Sequence, residues 1–245
     1  MPIKLALPLG GAIAAAWGFL IYQARQMTHL PMADMWMPPS ELSQWLPGDF
    51  AWVFAMWAVM MAAMMLPSIL PMLAAFSRYC QRDANADPWL SLWFSGGYLA
   101  VWIAFSVALT GLQWLFHGLH WLSPMMENRQ PYLAAGILFT AGVYQFTPFK
   151  NACLQHCRTP LGFLLHAWRP GSVGALRMGV HHGTTCLGCC WAQMLIMFAV
   201  GVMNLTGMLL ITLLVFLEKW PPIDSKKLSY ISGSLFLLWG GVCLF

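Results

Sequence analysis

The chain has 245 residues, 60% of them hydrophobic and only 8% charged, with a mean hydropathy of +0.65 and a net charge of +4. A soluble domain carries about a quarter charged residues, so these proportions exclude a water-covered globule; the scattered basic residues, with no long cluster, exclude a nucleic-acid binder. Seven cysteines, five of them between Cys153 and Cys190, do not have the spacing of a secreted disulfide scaffold.

The composition predicts an all-α, polytopic membrane helix bundle forming a single domain over residues 1–245. A spanning helix needs about 20 mostly apolar residues, and seven segments qualify as transmembrane helices: 5–22, 50–76, 89–116, 132–148, 173–203, 205–217 and 228–245. The first follows Lys4 and could pass for an export signal; we read it as a retained helix because no soluble domain follows. The sixth is short and borrows residues from the turn at Val202 to Asn204. Basic residues orient the bundle. With the N-terminus cytoplasmic, Lys4, Arg78, Arg82, Lys150, Arg158, Arg169, Arg177, Lys219, Lys226 and Lys227 lie inside, and Arg25 and Arg129 outside. The expected location is the cell inner (cytoplasmic) membrane.

Between the first two spans, "QMTHLPMADMWMPPS" sets Met27, His29, Met32, Met35 and Met37 where an ion would arrive from outside. The second span carries Met56, Met60 and Met64 four apart, one stripe of a helix, with Met61 and Met65 on another face. Methionine is a flexible apolar filler, but its thioether also binds Cu(I), because both are soft. Pro67 and Pro71 are expected to break or kink this span and free backbone carbonyls beside the stripe.

After the fourth span, Cys153 and Cys157 lie one helical turn apart in "QFTPFKNACLQHCRTP". Pro148 would start a short helix there, and the flanking Lys150 and Arg158 are expected to lower the thiol pKa and favour thiolate. The fifth span opens with "HHGTTCLGCCWAQM". At 100° per residue, His182, Cys189, Cys190, Gln193 and Met197 all fall within about 60° of Cys186, whereas His181 falls on the other side. Gly179, Gly183 and Gly188 thin the helix nearby and would let a second helix approach. A membrane cysteine is often a packing residue, but three thiols and an imidazole on one face, with two thiols nearby, point to ligand or redox chemistry. Glu218, ending the sixth span, is read as a solvated charge, with Lys219, Lys150 or Arg177 as alternative partners.

The stretches "WAVMMAAMMLPSILP", "GYLAVW", "YQFTPFKNACLQHCRTP", "GVHHGTTCLGCCWAQM", "GVMNL" and Glu218-Lys219, in that order, resemble a bacterial family of predicted metal-binding integral membrane proteins, a domain of unknown function, over roughly residues 50–220. The resemblance implies a polytopic inner-membrane protein whose presumed ligands are Cys153, Cys157, Cys186, Cys189 and Cys190.

Together these features predict a membrane protein that handles Cu(I), for transport, delivery or homeostasis. The metal residues are Cys186, Cys189, Cys190, His182, Cys153, Cys157, Met60, Met64 and Met197; the partners are the lipid bilayer, the metal ion and a copper chaperone or acceptor protein. One alternative is a thiol–disulfide oxidoreductase in which Cys186-x-x-Cys189 exchanges electrons with Cys153 and Cys157. Another is structural zinc held by three cysteines and His182. No phosphate-binding loop or H-E-x-x-H motif supports a hydrolase.

Overall fold

The computed structural model describes residues 3–29, 36–39, 41–81, 87, 89–220 and 222–244, and these are all-α, with no strand among them. The helices are α1 (Ile3–His29), α2 (Pro47–Cys80), α3 (Leu90–Gly118), α4 (Pro131–Gln145), α5 (Pro148–Arg158), α6 (Pro160–Ala167), α7 (Gly171–Val200), α8 (Leu205–Lys219) and α9 (Ser225–Val242). Proline opens α2, α4, α5 and α6 at the first turn, where its missing N–H costs nothing. Gly201, at φ +101, stops α7, and the Asn204 side chain accepts the Gly207 N–H to start α8. The turn at Val202 to Asn204 therefore belongs to neither helix. Met32, Met35 and Arg82 lie outside the described residues.

Among the described residues four helices, not seven, are long and apolar enough to cross a membrane: α1 over Leu7–Met27, α2, α3 and α7. The physical reason is length and polarity. α4 and α8 have 15 residues each, a rise of about 22 Å against a hydrocarbon core of about 30 Å. α9 has 18 residues but opens on Ser225, Lys226 and Lys227 and buries Ser229 and Ser232. With the count reduced, the alternation of basic loops no longer fixes the side of the N-terminus.

α2 also departs from expectation, because it runs unbroken through Pro67 and Pro71. A proline removes one i to i−4 hydrogen bond, so Pro67 leaves the Ala63 carbonyl without its helical donor. Trp17 of α1 supplies the replacement, its indole Nε1–H donating to that carbonyl at 3.0 Å. The freed acceptor is satisfied from a neighbouring helix, so the backbone need not open.

α3 and α7 form the most extensive helix pair of the core. Gly97 sits against the Leu176 carbonyl and Gly179 against the Phe94 carbonyl, so each helix has a notch where the other's backbone passes. A side chain at Gly179 would meet rigid backbone. Gly179→Val is therefore expected to cost about 1–3 kcal/mol by overpacking, read as a lower melting temperature of the detergent-purified chain. α2 packs beside α3, α1 and α8, α4 lies between α7 and α9, and α5 lies along α7.

Candidate metal centre

α7 turns the predicted stripe inward. His182, Cys186, Cys189, Cys190, Gln193 and Met197 are all buried. The sulfurs of Cys186, Cys189 and Cys190 lie within 4.8 Å of one another. Two of them are committed locally: the Cys189 and Cys190 thiols donate to the Cys186 carbonyl at 3.1 and 2.9 Å. Cys186 instead faces across the bundle. Its sulfur is 2.8 Å from Lys219 Nζ of α8 and 3.1 Å from the Tyr98 hydroxyl of α3. Lys219 Nζ also donates to Ser68 Oγ at 3.0 Å, and Ser68 and Tyr98 both donate to the Met65 carbonyl of α2, at 2.8 and 3.3 Å. Three helices thus meet at one sulfur, and α2 joins them through Ser68 and the Met65 carbonyl.

The Lys219 ammonium is buried, and its hydrogen-bond partners are a hydroxyl and the Cys186 sulfur. A buried charge needs an opposite charge beside it, and of these two partners only the sulfur can carry one. The arrangement therefore places a lysine where it can offset the charge of a thiolate at Cys186.

The second cysteine block converges on the first. Cys157 of α5 is buried in the same core and lies near Cys186 and Cys189. Cys153 rests on α7 at Gly188, where an added Cβ would come 3.0 Å from its sulfur. Tyr144 of α4 donates to the Gly188 carbonyl, fixing the same spot from a third helix. Lys150 and Arg158 do not activate these thiols as expected. Lys150 Nζ is buried against Glu218, and the Arg158 guanidinium donates to the carbonyls of Glu218 and Ile223 at 2.7 and 2.6 Å. With those charges engaged elsewhere, burial and the neighbouring Cys189 raise the Cys153 thiol above its ordinary pKa.

His182 is inside but apart from the sulfurs. Its ring packs among Phe94, Tyr98 and Phe163, with centroids 5.9, 5.9 and 5.5 Å away, and it is not in the cluster of close ligand atoms. His182 therefore stands beside the three-sulfur group and not within it. Met60, Met64 and Met197 are fully buried in the core. The α2 groups joined to Cys186 through hydrogen bonds are the Met65 carbonyl and the Ser68 hydroxyl. Met27 and His29 end α1, and Met37 lies in the irregular segment before α2.

A family model described as a copper chaperone, PpoB2, matches residues 54–243, which include every residue of this centre. The chain belongs to this copper chaperone family. No curated protein and no solved structure matches it. The donor set suits the family's metal, because thiolates are soft ligands that select Cu(I). Lys219, Tyr98 and Ser68 were not visible as site residues in the sequence of this copper chaperone family member. The one signal was a lysine closing an apolar helix beside a glutamate.

Glu218 is the other correction. It is buried, and its carboxylate pairs with Lys150 at 2.7 Å, with Gln193 Nε2 at 3.3 Å and Ser229 Oγ at 3.4 Å as further donors. A carboxylate at that depth persists because a cation and two polar groups surround it. Of the partners considered, it takes Lys150 of α5.

Proposed function

We propose that the protein receives, holds and passes on Cu(I) within a membrane, with Cys186, Cys189 and Cys190 as the principal ligands. The observation that carries this reading is the Lys219 ammonium 2.8 Å from Cys186 inside a buried group of three close sulfurs. Thiolate ligands bring negative charge to a place where charge is costly, and Lys219 offsets part of it. Cys157, beside Cys186 and Cys189, and the half-buried Cys153 at Gly188 provide a graded route from the buried sulfurs to the rim of the bundle. Ligand exchange along such a route moves a soft ion without releasing it to water, and an acceptor protein would meet it at Cys153. Met60, Met64 and Met197 are weaker thioether stations, and His29 and Met27 are collecting groups at the other end of the chain's reach. Membrane residence rests on the four long apolar helices, and we assign it to the inner membrane.

Copper content per chain tests the reading. Purified protein loaded with Cu(I) under reducing conditions should lose at least one bound ion per chain when Cys186, Cys189 and Cys190 are all changed to serine. Unchanged copper content in the folded variant would remove the proposal.

A further inference from the structure

We infer that the basic cleft between α6 and α7 binds the phosphate group of an anionic phospholipid. The cleft has a volume of about 570 Å³ and is lined by His166, Trp168, Arg169, Arg177, Met178 and His181, with Ala167 between them. That is room for a headgroup. Among the described residues no carboxylate lines it, and the sequence has no Asp or Glu between Glu127 and Glu218. Among the described residues neither the Arg169 nor the Arg177 guanidinium has a side-chain partner. Two guanidiniums sharing one cavity, each with a planar fork of donors and neither answered by an acid among the described residues, fit a phosphate.

The walls are held in place. The Arg169 backbone N–H donates to the Met178 sulfur at 3.3 Å, and Gly174 lets the Arg169 carbonyl approach, since a Cβ there would come within 2.6 Å of its oxygen. The Trp168 ring packs on Tyr79 and Phe76, with centroids 4.5 and 5.9 Å away. His166 Nδ1 lies 2.9 Å from the Gly162 carbonyl and so carries the proton donated there, which leaves Nε2 for a second partner.

The surroundings choose between a lipid and free phosphate. Leu161 and Leu165 of α6, one turn apart, are 68% and 72% exposed, and Val173 of α7 is 63% exposed. Apolar side chains beside the cleft give the acyl chains of a bound phospholipid a surface to lie on, which a soluble phosphate would not use. Basic pockets at the ends of membrane helices take anionic headgroups by this division of labour.

The test uses the full chain, delipidated in detergent and titrated with phosphatidylglycerol or phosphatidylcholine under native mass spectrometry. The wild type should prefer phosphatidylglycerol. Arg169→Gln with Arg177→Gln should lower that affinity about 30-fold, roughly fivefold for each charge, and added salt should shrink the difference. The gel-filtration profile and melting temperature in detergent report whether the double variant is folded; should either change, each single variant is read for its own fivefold loss. Equal binding of the two lipids by the wild type, or full retention of phosphatidylglycerol by the folded double variant, overturns the inference. A rise in melting temperature with inorganic phosphate, without preference between the lipids, overturns the lipid assignment in favour of a soluble phosphate. The copper reading stands or falls separately.

Discussion

Replacing Lys150 by methionine is expected to destabilise the protein by about 3–5 kcal/mol, because it leaves Glu218 buried without its cation. The pair is 2.7 Å long with both side chains almost wholly out of solvent, and Gln193 and Ser229 cannot supply a charge. Glu218→Gln should be damaging too, since it strands the ammonium instead. The double variant Lys150→Met with Glu218→Leu should recover most of the loss, as an apolar pair of similar size removes both desolvation costs together. Thermal or denaturant unfolding in detergent measures all three. Single variants as stable as the double, or as the parent, would show that the ion pair does not hold α5 to α8.

Lys219→Met should leave the fold competent but weaken Cu(I) binding by about 10- to 100-fold, the worth of a hydrogen bond to a charged group in affinity terms. The ammonium is the cation in contact with Cys186, and without it a negatively charged sulfur site stands in the apolar interior uncompensated. Lys219→Arg keeps the charge and should lose less. Competition with a Cu(I) chelator of known affinity reads the change. Equal affinity in parent and methionine variant would mean that Lys219 serves packing alone, and the electrostatic part of the proposal would go.

The sulfur face of α7 was legible because it is a property of one helix. A period of 3.6 residues places Cys186, Cys189 and Cys190 together whatever surrounds them, and their burial followed from the apolar sequence on either side. The glycines of the same helix were readable as notches for a similar reason. What touches Cys186 was not legible. Lys219 is 33 residues further on in sequence and Tyr98 is 88 residues before, and their meeting depends on how α3 and α8 dock, which periodicity does not encode. Glu218 was misread on the same account, since a charge at the end of a helix is solvated or buried according to its neighbours. The count of spans failed where short helices were credited with a full crossing: α4 and α8 have 15 residues each, and α9 opens on Ser225, Lys226 and Lys227. The turn at Val202 to Asn204 adds nothing to α8, because Gly201 ends one helix and Asn204 begins the next.

Consecutive residues at the end of α8 serve two different neighbours. Glu218 is fastened to α5 through Lys150 and Lys219 to α7 through Cys186, roughly 100° apart around one rigid rod. A shift of that rod is therefore felt at both contacts, by the three sulfurs on one side and by the short helix bearing Cys153 and Cys157 on the other.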